Sequence, residues 1–127
     1  MKHIRLIIGM AVLVAFASCS KKLSIDPLSF AVTTKSATYN VGDTVNFNFT
    51  GNPDIISFYS GLPGNTYDTT SLISANVGVP LKNITQVLSS YSYVYKVSGS
   101  YKVVFVATNA TADAQQSNTK EIDLTIQ

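Results

Sequence analysis

Hydrophobic and polar residues alternate with a period of two along much of the chain. The clearest run is Thr44 to Thr50, where Val45, Phe47 and Phe49 share one face and polar side chains share the other. The segment from Tyr91 to Val97 alternates in the same way. Such alternation is typical of a β-strand with one buried face. Both segments are therefore predicted as strands.

Short apolar runs between turn residues indicate the other strands. The predicted set is completed by Ser29–Thr34, Asp54–Ser60, Tyr101–Thr108 and Glu121–Ile126. The segment from Asn109 to Thr119 is polar and is predicted as a loop. The segment from Ser71 to Ser90 stays ambiguous, because it is compatible with a short strand, with a helical turn around Ile84 to Leu88, or with both.

The spacing of these strands predicts the fold class. Short strands with turn signals every ~8–12 residues, and no sustained helical period, are typical of sandwiches of about 100 residues. The chain is thus expected to form an all-β fold, an antiparallel immunoglobulin-like β-sandwich of about seven strands. Tyr101 follows the Ser98–Ser100 turn, where a tyrosine corner would bond back to the upstream backbone. The alternative is that Tyr101 is an ordinary strand aromatic.

The N-terminus has the pattern of a lipoprotein signal. A basic start, Met1 to Arg5, precedes the largely apolar run from Leu6 to Phe16. At ~1.5 Å per residue this run is too short for a ~30 Å hydrocarbon core, so it is predicted as a cleaved signal segment. Phe16-Ala17-Ser18-Cys19 resembles the lipobox of bacterial lipoproteins, and the resemblance implies acylation of Cys19.

This pattern divides the chain into three parts. Residues 1–18 are predicted as the signal peptide, residues 19–28 as the lipidated Cys19 and its tether, and residues 29–127 as one folded domain. Two or three acyl chains anchor a protein stably, so a membrane is the expected partner. The alternative is an ordinary secretory signal with an unpaired Cys nearby.

Composition narrows the chemistry open to the domain. From Cys19 onward, seven Lys and no Arg balance six Asp and one Glu, so no nucleic-acid partner is expected. The sole His and the sole Cys are His3 and Cys19, and both precede the domain. We therefore expect no enzyme that depends on His or Cys, no structural zinc or other metal, no disulfide and no cofactor.

The segment from Tyr39 to Gly61 (YNVGDTVNFNFTGNPDIISFYSG) resembles a Bacteroidetes lipoprotein family known only as a domain of unknown function, number 5017. Gly64 and Tyr67 continue the family pattern, whereas Leu62 stands where the family usually has Glu. The segment from Gly99 to Gln127 is similar to the last strands of PKD-type immunoglobulin-like domains. The resemblance implies an envelope lipoprotein with an immunoglobulin-like fold. It does not imply any activity, because none is attached to the family.

Tyrosine is the most informative residue type for binding. All seven Tyr follow Cys19; three share a strand face, and two lie near the Gly61–Gly64 turn. The candidate ligand contacts are Tyr59, Tyr67, Tyr91, Tyr93 and Tyr95. Exposed Tyr rings would suit a glycan or a protein partner, whereas a row that faces the core would only stabilise the fold.

Other motifs carry weaker hypotheses. Asp-Thr-Val and Asp-Thr-Thr resemble the O-glycosylation acceptor of Bacteroidetes, which would place a glycan on Thr44 and Thr69. Ser117-Asn118-Thr119-Lys120 matches S-x-x-K, but the S-D-N and K-T-G motifs of penicillin-recognising enzymes are missing from the chain. Asp43, Asp54 and Asp68 flank turns but lack calcium-loop spacing, and Asp43 and Asp54 are better explained as turn formers.

The expected function is that of a non-catalytic outer-membrane lipoprotein. It would be a monomeric binding or structural module of the cell envelope, with an accessory role in glycan capture as one form. The alternative is a periplasm-facing module that docks a partner protein at a sheet edge. Ser20 to Leu23 contain no acidic residue, whereas acidic residues after the Cys are associated with surface export. This favours the periplasmic face without resolving it.

Overall fold

The computed structural model describes residues 27–34, 36–68, 77–111 and 114–127. All regular secondary structure in these ranges consists of β-strands. The strands are β1 (Phe30–Val32), β2 (Ala37–Tyr39), β3 (Thr44–Gly51), β4 (Ile55–Tyr59), β5 (Val79–Lys82), β6 (Ser90–Val94), β7 (Gly99–Ala110) and β8 (Gln115–Ile126). The prediction of an all-β fold is confirmed.

Two sheets form the sandwich. One has the order β1-β3-β6, and the other has the order β2-β8-β7-β4-β5. Strands β3 and β6 take the places of immunoglobulin strands B and E, and β4, β7 and β8 take those of C, F and G. Every pairing is antiparallel except that of β2 with β8, where Ala37–Tyr39 runs parallel to Leu124–Ile126. Strand β2 is the element that the sequence pattern did not predict.

Aromatic residues fill the space between the sheets. Phe47 of β3 lies with its ring centroid 5.0 Å from that of Phe105 on β7, and Phe58 of β4 lies 5.3 Å from Phe105. The inward residues predicted for β3 and β8 are all buried: Val45, Phe47, Phe49, Ile122, Leu124 and Ile126. The predicted face of each of these strands is confirmed.

The loop predicted for Asn109 to Thr119 is wrong over most of its length. Strands β7 and β8 pair without interruption from Gly99 opposite Ile126 to Ala110 opposite Gln115. The Thr111 N–H donates to the Ala114 carbonyl at 2.8 Å, which closes the hairpin. Polar residues extend this strand because β7 offers its backbone as a template, and backbone pairing does not require apolar side chains.

The ambiguous segment from Ser71 to Ser90 contains the short strand β5 and then a turn. The Gln86 N–H donates to the Asn83 carbonyl at 3.2 Å, so Ile84 and Thr85 are the central residues of a β-turn. Residues 83–89 are not helical, so the helical turn around Ile84 to Leu88 is not observed. The part from 71 to 76 lies outside the described residues.

The tyrosine corner is confirmed. The Tyr101 hydroxyl donates to the Val97 carbonyl at 2.9 Å, which ties the start of β7 to the backbone four residues upstream. The ring also stacks on Tyr95 with centroids 4.6 Å apart. Tyr101 thus fixes the connection between the two sheets.

The two ends of the sandwich are defined by the chain termini. The N-terminal end contains the start of β1, the β3–β4 turn, the β5–β6 loop and the β7–β8 turn, because Phe30 pairs with Gly51 and Ile55 with Thr108. The C-terminal end contains the β2–β3 turn, the β6–β7 turn and the residues after β4, close to Gln127.

Candidate functional site

A polar pocket of about 370 Å³ opens at the N-terminal end. It lies between the start of β1, the β3–β4 turn and the end of β7. Its walls are formed by Pro27, Ser29, Asn52, Asp54, Asn109, Ala110 and Thr111. The β3–β4 and β7–β8 turns correspond to the B–C and F–G loops, which bind antigen in antibody variable domains. Amide, hydroxyl and carboxylate groups are therefore available for a polar ligand.

The β3–β4 turn is held rigidly in this wall. A Cβ atom at Gly51 would lie 2.7 Å from the Ser29 carbonyl carbon and closer still to its oxygen, and the φ angle of Gly51 is 89°. Only glycine allows this approach of β1. The Asp54 N–H donates to Asn109 Oδ1 at 2.9 Å, and Asp54 Oδ2 accepts from the Ala110 N–H at 3.1 Å. Asp54 thus joins the two loops.

Lys82 on β5 also holds the β3–β4 turn in place. Its side chain is only 3% exposed although it lies on an edge strand, and its ammonium donates to the carbonyl oxygens of Pro53 and Asp54. Carbonyl oxygens compensate a buried ammonium for the water it has lost. Sequence reasoning missed this residue, because a lone Lys among mixed neighbours carries no signal of burial.

The Phe58-Tyr59-Ser60-Gly61 segment of the family pattern has its own network at the C-terminal end. Ser60 is buried; its N–H donates to Asn65 Oδ1 at 2.6 Å, and its carbonyl accepts from the Tyr95 hydroxyl at 2.8 Å. A Cβ atom at Gly61 would lie 2.7 Å from the Lys102 carbonyl oxygen. Ser60 and Gly61 therefore fix the path of the backbone after β4, and they do not present a reacting group.

The structure brings Tyr59 and Tyr67 together. Their ring centroids are 5.1 Å apart in an edge-to-face arrangement, and both side chains are half-buried. Gly78 lies against Tyr59, since a Cβ atom there would be 2.7 Å from the ring. The pair forms a small aromatic surface, on which ligand contact stays a prediction.

The row Tyr91, Tyr93 and Tyr95 faces the core. Tyr95 is 1% exposed, and the rings of Tyr91 and Tyr93 lie 4.9 and 5.2 Å from Phe58. Burial raises the pKa of the Tyr95 hydroxyl far above its usual value, and burial also raises the pKa of Tyr91. The prediction of direct ligand contact at Tyr95 is therefore corrected, because this side chain is buried in the core, where it stacks on Tyr101.

The remaining predicted residues are dispersed. Thr44 lies exposed at the start of β3, as the outward face predicts, whereas Thr69 and Cys19 lie outside the described residues. Asp43 Oδ2 accepts from the Asn40 N–H at 2.8 Å and so closes the β2–β3 turn. Ser117 lies in β8, where its hydroxyl is 3.1 Å from that of Thr108, and not at the start of a helix.

Two of the four outer strands of the described sheets, β5 and β6, differ in how they protect their free edge. Strand β5 carries Pro80, the inward Lys82 and a register irregularity opposite Ile56 and Ser57, all of which discourage pairing with another chain. Strand β6 (SYSYV) has no proline and no charged residue, and its described register with β3 is regular.

The direction of the β6 backbone groups follows from the ladder. The Phe49 N–H donates to the Ser89 carbonyl and the Gly42 N–H to the Tyr95 carbonyl, so odd-numbered residues bond to β3. In an antiparallel pair the alternate residues point their N–H and C=O groups away. Ser90, Ser92 and Val94 therefore present theirs at the outer edge of the sheet.

These features define an immunoglobulin-like β-sandwich in which the described residues contain no cluster of three His, Cys, Asp or Glu able to hold a metal ion. In the same ranges no helix is long and apolar enough to cross a bilayer. Residues 18–94 match the family described as Domain of unknown function (DUF5017), and the chain belongs to this family. Searches of curated proteins and of solved structures gave no match.

Proposed function

We propose that the protein is a lipid-anchored, non-catalytic module of a Bacteroidetes outer membrane that binds an extended segment of an envelope protein along β6. The anchor is supported by the position of Cys19 directly after a basic start and a short apolar run. Ser20 to Leu23, which lack acidic residues, favour the periplasmic face.

The single observation that carries the binding mode is the outer edge of β6. Ser90, Ser92 and Val94 direct backbone donors and acceptors outward, and the strand lacks the proline and inward Lys found on β5. An extended peptide can continue such a ladder, which provides affinity through main-chain hydrogen bonds. Beside it, the half-buried Tyr91 and Tyr93 border the inner face and would contact alternate side chains of the added strand.

The test replaces Ser92 by Pro. This removes one outward N–H and places the pyrrolidine ring at the outer edge, while the bonds from Tyr91 and Tyr93 to β3 are retained. A photo-crosslinking residue at Ser90 in the full chain is expected to capture a defined envelope protein, and Ser92→Pro is expected to abolish that product. Ser92→Ala is the matched control, because it removes only the hydroxyl that bonds Asn46 Oδ1.

Equal crosslinking in Ser92→Pro and Ser92→Ala would overturn the edge-docking proposal. A crosslink between two copies, with a dimer in light scattering, would show instead that β6 pairs with itself. Protease shaving of intact cells tests the face separately: protection until lysis is expected for a periplasmic domain.

A second candidate is glycan contact, which the Tyr59–Tyr67 pair favours because the two rings form one half-exposed surface. Affinity electrophoresis against envelope polysaccharides tests it. Retardation that is lost in Tyr67→Ala and kept in Ser92→Pro would support it. O-glycosylation of Thr44 is tested by intact mass, where a mass equal to that of the bare lipidated polypeptide would exclude it.

A further inference from the structure

The β5–β6 loop, residues 83–89, presents two aliphatic side chains at a turn. Ile84 is 70% exposed at the first central position of the Asn83–Gln86 turn, and Val87 just after it is 83% exposed. The turn is anchored on both sides, since Lys82 is buried under the β3–β4 turn and Leu88 packs against the core. Ile84 and Val87 thus point outward between two residues that are anchored in the sandwich.

Exposure alone does not distinguish this loop. Val97 at the C-terminal end is 63% exposed, and single exposed aliphatic residues are common on proteins. The position of the loop distinguishes it. Ser89 accepts from the Phe49 N–H, and Lys82 reaches Pro53, so the loop lies at the end of the sandwich where the chain enters from residue 27.

The segment that joins Cys19 to this end of the sandwich is short. Eight residue steps separate Cys19 from Pro27. At ~3.3–3.6 Å per residue the tether spans at most about 29 Å, even when fully extended. A lipid on Cys19 would therefore keep the N-terminal end of the sandwich within reach of the bilayer surface.

The chemistry of this end suits a bilayer interface. Residues 83–89 carry no charge, and among the described residues of the N-terminal turns the only charged side chain besides buried Lys82 is Asp54, whose carboxylate bonds the Ala110 N–H. Asp113 is the one further acid in the β7–β8 turn sequence. Apolar side chains that enter the boundary between headgroups and acyl chains strengthen membrane contact in proportion to the apolar area buried.

We propose that Ile84 and Val87 insert into the membrane interface, so that the sandwich stands on its N-terminal end with β6 upright. This inference rests on the proposed lipid anchor at Cys19. In this orientation the pocket bounded by Asn52, Asp54 and Asn109 faces lipid headgroups, whereas the β6 edge stays open to partners from the side. The end that binds antigen in antibodies is then the membrane-facing end here.

The experiment uses the mature lipidated protein in phosphatidylcholine vesicles that contain a lipid with a nitroxide quencher on its acyl chain. Val87→Cys is labelled with an environment-sensitive fluorophore; acylation blocks the thiol of Cys19, which is the only native Cys. Val97→Cys, at the opposite end, is the matched control. Circular dichroism of both labelled proteins verifies the fold.

A blue shift with a severalfold rise in emission, and quenching by the nitroxide, is expected at position 87 and not at position 97. If the protein floats with the vesicles and the label at 87 behaves like the label at 97, the anchor stands and the insertion of the loop is refuted. If the protein does not float, the anchor is refuted and the insertion with it. Ile84→Cys repeats the measurement at the turn.

Discussion

The two ends of the sandwich use the same backbone device and different side-chain chemistry. At the N-terminal end Gly51 lets β1 approach the β3–β4 turn, and at the C-terminal end Gly61 lets the chain after β4 approach β7. The C-terminal end is closed by tyrosine hydroxyls that donate to backbone carbonyls, whereas the N-terminal end is closed by the Asp54 carboxylate and the Lys82 ammonium. Both ends leave aliphatic side chains exposed, Ile84 and Val87 at the N-terminal end and Val41 and Val97 at the C-terminal end, so the ends differ in the groups that close them and in which of them receives the chain from residue 27.

The largest effects are expected from glycine substitutions, because both ends depend on close backbone approach. Gly51→Ala would force a Cβ atom into the Ser29 carbonyl group, so a loss of more than about 3 kcal/mol in the free energy of unfolding is expected. Gly61→Ala should cost somewhat less, because the nearest atom, the Lys102 carbonyl oxygen, is 2.7 Å away. Urea denaturation measures both variants.

Gly42→Ala is the control for this series. Gly42 also has a positive φ of 89°, yet nothing lies within 4 Å of its Cβ position. Only the backbone strain of about 1–2 kcal/mol is therefore expected. Equal losses for Gly42→Ala and Gly51→Ala would show that strain, and not contact between strands, dominates.

The next largest losses of stability are expected from the side-chain hydrogen bonds that differ between the two ends. Tyr95→Phe leaves the Ser60 carbonyl without its hydroxyl donor in a buried place, so a loss of about 1–3 kcal/mol is expected. Asp54→Ala removes a bond to the Ala110 N–H that water can replace, so a loss below about 1 kcal/mol is expected. The reverse order in thermal or urea unfolding would contradict the contrast between the two ends.

Alkaline pH should destabilise the fold through the buried tyrosines, Tyr95 above all. Burial raises the pKa of Tyr95 above its unfolded value of about 10, so the native protein keeps a proton that the unfolded chain releases. The free energy of unfolding should therefore fall as pH rises through 10, by at most about 1.4 kcal/mol per pH unit for this group. Tyr95→Phe should show a shallower decline between pH 9 and 11. An unchanged slope would contradict the assignment to Tyr95.

The smallest effect on stability is expected at the loop proposed to touch the membrane. Ile84→Ser and Val87→Ser should each change the free energy of unfolding by less than about 0.5 kcal/mol, since both side chains are mostly in water. Leu88→Ser, one residue on, packs against the core and should cost clearly more. A large loss in Val87→Ser would show that this residue serves the fold.

Local periodicity was enough to predict the strands that carry a one-sided apolar pattern. The buried faces of β3 and β8 were predicted correctly, because alternation between apolar and polar residues specifies both a strand and its buried face. These faces carry Val45, Phe47 and Phe49 on β3 and Ile122, Leu124 and Ile126 on β8. Tyr101 was recognisable as a corner residue since its place after a turn is itself a local feature. The family pattern from Tyr39 to Gly61 was likewise contained in a contiguous stretch.

Features that depend on a neighbouring strand were beyond that reasoning. Tyr and Ser alternate along β6, but Tyr is amphipathic, so its pattern alone does not say which face meets the core; the pairing with β3 does. Strand β2 and the polar part of β8 owe their extended form to backbone partners, and Lys82 owes its burial to two carbonyls distant in sequence. The position of Ile84 and Val87 beside the chain entry arises only once the sheets are packed, because hydrophobicity is a local property and location is not.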